Sequence, residues 1–289
     1  MYPTKPLIIA LLFAASSCGL GGSKNNSSDN QIIIRDTVEI VVRDTVRELA
    51  VVIEHHTSPR DTTENLFAQI TKAVGAENVR NIKQLKIIGS INEAEISAIA
   101  YNYQLIMEDE FYCLDEMDLS ECSIVGKVQI SYNGSGYDTD YEPTYQNGNA
   151  IPCGLYSVSR AHISPKRFYF PKGITTIGAE AFYLCNLEGA LNIPDGVKYI
   201  MSGAFDRNPN LTSLTIPSSI KYIGERAFNC CGNINSKLVF PEGLMYICYQ
   251  AFRGCTGIIN SGTEFPFDRY PMYDGEYIEN PMRKSDWDN

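Results

Sequence analysis

Residues 168–182 read FYFPKGITTIGAEAF, residues 191–205 LNIPDGVKYIMSGAF, residues 214–228 LTIPSSIKYIGERAF and residues 238–252 LVFPEGLMYICYQAF. Laid over one another, they set Pro171, Pro194, Pro217 and Pro241 in one column, at spacings of 23, 23 and 24 residues. Phe182, Phe205, Phe228 and Phe252 form a second column with the same spacings, and Cys185, Asn208, Cys231 and Cys255 a third. A unit this short cannot bury its own apolar face, so each must stack on the next. The expected core runs through Leu191 and Ile193, Leu214 and Ile216, Leu238 and Phe240, joined by Ile177, Ile200, Ile223, Ile247 and the phenylalanine column. Proline closes each short strand, because it has no N–H for the next ladder bond.

Working outward, Ile151-Pro152-Cys153-Gly154-Leu155-Tyr156 is an eroded copy of the Ile-Gly-x-x-Ala-Phe segment, with Tyr156 26 residues before Phe182. Further upstream, Leu114, Met117, Leu119, Cys122 and Ile124 fit the leucine-rich pattern L-x-x-L-x-L-x-x-N/C-x-L. Phe265-Pro266 could open one more strand after the last full unit. The units resemble BspA-type leucine-rich repeats over residues 151–266, and residues 82–124 resemble the amino-terminal part common in such surface proteins. Met201 and Cys248 depart from that pattern, standing where Gly178 and Gly224 stand in the other units. That glycine is therefore not strictly needed for a left-handed turn in every coil.

The expected fold is an α/β repeat solenoid, a leucine-rich repeat stack with one short strand per 23-residue coil and a helical amino-terminal cap. Residues 63–75 read as an amphipathic helix with Leu66, Phe67, Ile70, Ala73 and Val74 on one side and Gly75 as its stop. Asn92 and Glu95 make a capping-box start for a second helix carrying Ile96, Ile99 and Ala100. These helices would close one end of the stack, and the tail from residue 257 the other. The chain divides accordingly: a leader over 1–18, a tether and extended stalk over 19–60, a cap with atypical repeats over 61–150, repeats of the BspA type over 151–266, and a carboxy-terminal cap or tail over 267–289.

The leader carries Lys5, then an apolar run over residues 7–15, then Ala15-Ser16-Ser17-Cys18. The run is too short to span a bilayer as a mature helix and reads as a secretory signal. Ala15 to Cys18 resembles a bacterial lipobox, with Ala15 in place of the usual leucine; the resemblance implies that Cys18 becomes the lipidated first residue. The alternative is a plain secreted protein cleaved near Ser17. Residues 19–30, GLGGSKNNSSDN, form a flexible polar tether. Arg35-Asp36-Thr37-Val38 recurs as Arg43-Asp44-Thr45-Val46 in a segment rich in Val, Ile and Thr. That segment favours extended backbone, as a stiff stalk or as a strand paired with something else.

Of the 289 residues, 24 are Lys or Arg and 34 Asp or Glu, a net charge of -10. An acidic chain is a poor fit to nucleic acid, and contact with a membrane is expected through the lipid anchor only. With 44% hydrophobic residues, the chain can build a packed core. Three histidines leave little material for His-based chemistry. His55, His56 and His162 have no nucleophile or carboxylate at a catalytic spacing, and no G-x-S-x-G, H-E-x-x-H or P-loop occurs. Glu108, Asp109 and Glu110 read as solvated loop charges. Asp138-Thr139-Asp140-Tyr141-Glu142 alternates acids as calcium loops do, without the glycine and terminal glutamate of an EF-hand. No C-x-x-C is present, so no metal site and no cofactor are expected. Cys231 and Cys255 would lie about one coil, roughly 4.8 Å, apart, but parallel inward side chains suit a disulfide poorly. Buried free thiols are expected at Cys122, Cys185, Cys231 and Cys255.

The candidate binding residues lie in the Ile/Val-x-x-Ile segments. Thr175-Thr176, Lys198-Tyr199, Lys221-Tyr222 and Met245-Tyr246 are expected to point outward. Tyr199, Tyr222 and Tyr246 would align at one coil spacing, flanked by Lys198 and Lys221. Either they form a recognition stripe for protein or glycan, or the rings stack and shield the coil edges. The insertion over residues 132–149, rich in Tyr, Gly, Asn and Asp, is composed like a paratope loop or is a loop tip with no partner. The expected role is a non-enzymatic, adhesin-like binding protein, lipid-anchored in the bacterial outer membrane and exposed at the cell surface. Its partner would be a host matrix protein, a bacterial surface protein or a glycan. The alternative is a periplasm-facing envelope scaffold.

Overall fold

The computed structural model describes residues 8–10, 37–43, 48–57, 66–102, 114–131, 145–157, 164–260 and 263. In chain order these hold β1 (Ile8–Ala10), β2 (Thr37–Arg43), β3 (Glu48–His56), α1 (Leu66–Val74), β4 (Ile82–Asn92), α2 (Glu93–Asn102) and β5 (Glu116–Val125). A hairpin of β6 (Lys127–Gln129) and β7 (Tyr145–Asn147) follows, then β8 (Ala150–Ile151), β9 (Arg167–Tyr169) and β10 (Thr176–Ile177). The last elements are β11 (Gly189–Asn192), β12 (Tyr199–Ile200), β13 (Leu211–Thr215), β14 (Tyr222–Ile223), β15 (Tyr246–Ile247) and α3 (Thr256–Asn260).

The repeats stack in parallel, as their period predicts, but a coil contributes two strand segments where the sequence predicts one. The segments before Pro171, Pro194 and Pro217 give β9, β11 and β13, whereas that before Pro241 forms no strand; β11 and β13 pair in parallel with Leu191 opposite Leu214. The longer ladder lies after the proline, where β8, β10, β12, β14 and β15 form one parallel five-stranded sheet. Its two-residue strands hold register through shared carbonyls. Thr175 O accepts the N–H groups of Lys198 and Tyr199 at 2.8 and 3.1 Å, and Lys198 O those of Lys221 and Tyr222 at the same distances. In this row each coil donates back to the one before it. At the phenylalanine turn the sense reverses: Phe182, Phe205 and Phe228 donate forward to the carbonyls of Ala204, Ala227 and Ala251, each at 2.8 Å.

The phenylalanine column is a stack of rings. Phe182, Phe205, Phe228 and Phe252 follow one another at centroid distances of 5.2–5.3 Å, with interplanar angles of 2–9°. Tyr156 extends the stack at 5.9 Å from Phe182, which confirms the eroded unit as a coil in register. The Cys/Asn column supports it from below. Asn208 Nδ2 donates to Phe182 O at 2.7 Å, Cys231 Sγ to Phe205 O at 3.2 Å and Cys255 Sγ to Phe228 O at 2.9 Å. Asn208, Cys231 and Cys255 thus each add a donor from the following coil to a phenylalanine carbonyl that also accepts a bond from within its own coil.

Gly178 and Gly224 serve a different purpose from a left-handed turn. The left-handed residues lie two positions on, at Glu180 (φ 52°), Gly203, Arg226 (φ 51°) and Gln250 (φ 53°). A Cβ at Gly178 would sit 2.6 Å from the backbone of residues 151 and 153, and one at Gly224 2.5 Å from Ser202 N. Glycine is needed there for close approach of two coils. The bulkier residues at this position, Met201 and Cys248, occupy the alternate coils.

The stack begins earlier than the sequence division places it. β3, β4, β5 and β9 pair in parallel, so the repeat sheet continues upstream with longer strands and α-helical returns. Val51 aligns with Leu85, Leu85 with Met117, and Met117 with Phe168, all buried. Residues 48–56, read as part of a stalk, are instead a core strand carrying buried Val51, Ile53 and His55, and β2 pairs with it antiparallel over seven residues. Extended backbone was the correct reading, and of its two alternatives the paired strand holds. Both sequence-predicted helices are present. The second has its capping box: Glu95 N–H donates to Asn92 Oδ1 and Asn92 N–H to Glu95 Oε2, each at 3.0 Å.

Glu95 also ties α2 to β3. His55 Nε2 lies 2.9 Å from Glu95 Oε1, and Thr57 Oγ1 donates to the carboxylate at 2.6 Å. Burial raises the Glu95 carboxyl pKa, but the hydrogen bonds from His55, Thr57 and Asn92 N–H outweigh it and hold the group below its ordinary value of 4.5. The stability Glu95 supplies is therefore present above that value and lost as pH falls through the depressed one. Glu95→Gln is expected to cost about 1–3 kcal/mol at pH 7 and progressively less as pH falls below 4.5, read by urea unfolding across that range. Phe205→Ala removes a ring stacked on both faces and is expected to cost about 3–5 kcal/mol; a loss below about 1 kcal/mol would contradict the stack.

Candidate interaction face

Register brings the predicted tyrosines together. Thr176 pairs with Tyr199, Tyr199 with Tyr222 and Tyr222 with Tyr246 along the five-stranded sheet. The isoleucine after each points into the core, so the tyrosines stand on the opposite face. They do not form an open ladder. Tyr222 is only 5% exposed and Thr176 fully buried, while Tyr199 and Tyr246 are half-buried. At one coil spacing the side chains cover one another; Tyr222 and Tyr246 meet edge to face at 6.4 Å. In each pair the first residue is the more exposed, and Thr176 and Tyr222 are the two middle positions that are covered. Lys198 is exposed, Met245 is 51% exposed, and Thr175 and Lys221 are half-buried.

Two features missed by the sequence reading shape this face. The β6–β7 hairpin closes one end of the row, because Gln146 Nε2 donates to Thr175 Oγ1 at 2.9 Å and Thr176 Oγ1 donates to Gln146 Oε1 at 2.6 Å. The hairpin carries Lys127 over the ring of Tyr145 at 3.8 Å, a contact between residues 18 apart that no spacing rule predicts. At the other end, Tyr249 is 40% exposed just after the last strand. Lys221 Nζ passes 2.8 Å from where a Cβ of residue 243 would stand, so Gly243 leaves room for the ammonium.

Burial pushes the thiols of Cys122 and Cys255 up to about 12, and that of Cys231 up as well, so they are protonated donors rather than nucleophiles. Among the described residues the seven cysteines are free, and no group of three His, Cys, Asp or Glu side chains is placed to hold a metal ion. His55 has a carboxylate partner in space, 40 residues away in sequence, but the pair is buried between β3 and the start of α2. Cys18, His162, Glu108 to Glu110, and Asp138 to Glu142 lie outside the described residues. No helix among the described residues is long and apolar enough to cross a membrane.

Stacked coils of one period, a ring column and an Asn/Cys column donating between coils agree with comparison to known families, in which residues 160–263 match the model of the BspA type leucine-rich repeat region in six copies. These residues are a BspA-type leucine-rich repeat region. No curated protein matches the chain. A repeat region of this type suggests a protein-binding repeat protein. Tyr222→Ser is expected to lower stability by about 2–4 kcal/mol, by analogy with other buried aromatic truncations. Lys198→Glu should leave stability within about 0.5 kcal/mol, as surface changes do. Thermal melts of the two variants check this; equal melts would place Tyr222 on the open surface.

Proposed function

We propose that this protein is an adhesin-like binding protein, lipid-anchored through Cys18 in the bacterial outer membrane, that holds its repeat face outward toward a protein or glycan ligand. The observation that carries the reading is one of arrangement. A lipobox-like Ala15-Ser16-Ser17-Cys18 and a polar tether precede a solenoid whose coils are locked in register, leaving Lys198, Met245 and Tyr249 accessible beside half-buried Tyr199 and Tyr246. Aromatic groups already fixed by packing lose little entropy on binding, and adjacent lysines favour contact with acidic or polar ligands. The ligand-contacting residues are proposed to be Lys198, Lys221, Tyr199 and Tyr246, with Tyr222 as the support beneath them. Recognition without catalysis is the reading that protonated, buried thiols and a buried His55–Glu95 pair favour.

Because β3 belongs to the folded body, a soluble probe must keep residues 37–56. A chain starting at residue 19 is therefore the bait for host matrix and bacterial surface extracts. On intact cells, external protease is expected to remove the domain, and Cys18→Ser to abolish lipid labelling and release the protein in soluble form. Full protection from protease would instead favour a periplasm-facing scaffold. Continued membrane fractionation of Cys18→Ser with unchanged labelling would place the anchor elsewhere.

A further inference from the structure

The outer edge of β2 is occupied by a segment that the chain is expected to lose. β1 lies antiparallel on it, with Ile8 opposite Val41, Ile9 opposite Ile40 and Ala10 opposite Glu39. On its other side β2 is paired along all seven residues with β3. Residues 8–10 fall within the leader, whose removal ahead of Cys18 vacates the edge. A strand left with one row of open N–H and C=O groups accepts another extended strand, and this edge already holds one in antiparallel sense.

We propose that the processed protein pairs through this edge with a second copy of itself, β2 against β2, antiparallel about a twofold axis at Val41. The segment Thr37–Arg43 reads TVEIVVR. In that register position 39 lies opposite position 43 twice, acid against base, 40 lies opposite 42, and 41 meets its own mate. The match is self-complementary, as an isologous interface requires. A twofold at Ile40 would set Glu39 opposite Val41 and Thr37 opposite Arg43, with no charge match. One strand pair is marginal in free solution, but anchored copies share a surface, which raises their effective concentration. The inference rests on the lipid-anchor reading above.

The test is a Val41→Cys substitution in a Cys230→Ser background, since Cys230 is an exposed thiol, in membranes from cells making the full chain. Directly opposed antiparallel residues have Cα atoms about 4.5–5.5 Å apart, within disulfide range. Mild oxidation is expected to give a covalent dimer with Val41→Cys and none with Thr37→Cys, whose mates fall out of register. Adding Glu39→Arg should abolish the dimer, and adding Glu39→Arg with Arg43→Glu should restore it, which a merely structural role for either charge would not produce. Intact lipid labelling with only monomer, cross-linking to a different protein, or a mature chain that retains residues 8–10 each overturns the pairing. A dimer that persists without lipid at Cys18 supports the pairing and removes the anchor reading alone.

Discussion

Everything in the repeat region follows from rings stacked at about one coil spacing. Phe182, Phe205, Phe228 and Phe252 keep centroids 5.2–5.3 Å apart with nearly parallel planes. That is slightly more than the strand separation in a sheet, about 4.8 Å. A short coil can meet both spacings only if its backbone follows nearly the same path each time. Hence the fixed period, the glycines where two coils come close, and the left-handed residues at the same place in successive turns. Six of the left-handed positions in residues 178–254 are not glycine. Such residues cost about 1–2 kcal/mol each; Glu180, Leu184, Arg207, Arg226 and Cys230 offset it by turning an amide onto a carbonyl of the next coil.

The two hydrogen-bonding senses follow from that path. In the five-stranded sheet each coil donates to the one before it, and at the phenylalanine turn each donates to the one after it. Every coil is therefore held from both sides by different parts of its backbone, and no single ladder carries the register. The Asn/Cys column adds a side-chain bond in the backward sense. Cysteine can replace asparagine there because the task is one donor to one carbonyl, and burial keeps the thiol protonated. Redox reactivity is thereby suppressed by the same environment that makes the residue useful.

Much of this was legible in the residues. The period, the aligned Pro, Phe and Cys/Asn columns and the capping box at Asn92 all report local or near-neighbour constraints, and the structure contains them. The second strand row was not legible, because a two-residue strand such as Tyr199–Ile200 has no periodicity to detect; it exists only because the neighbouring coil is beside it. The stalk over residues 37–56 was misplaced for a related reason. Alternating Val, Ile and Thr announce an extended chain, and nothing in them says that β4 will lie alongside. His55 and Glu95 meet because β4 pairs with β3 and α2 starts directly after β4, which brings a residue 40 positions away into contact.

The tyrosine row shows why a binding face is harder to read than a core. Position fixes that Tyr199, Tyr222 and Tyr246 share one side of a sheet, but exposure depends on how much each side chain is covered by its neighbours. At a spacing near 5 Å a phenol ring spreads over the coils beside it, so a central member of the row is buried by the regularity that aligned it. Tyr222 is covered while Met245, in the last described coil of that sheet, is half exposed. Smaller groups at the same position would leave the sheet open, yet Thr176 is buried as well, because Gln146 reaches across from the hairpin. Accessible chemistry in such a stack thus concentrates where the repetition is broken: at the inserted hairpin, at the terminal coil, and at the lysines one position out of the row. A ligand that reads this protein would read those departures, since the repeated part is spent on holding the coils together.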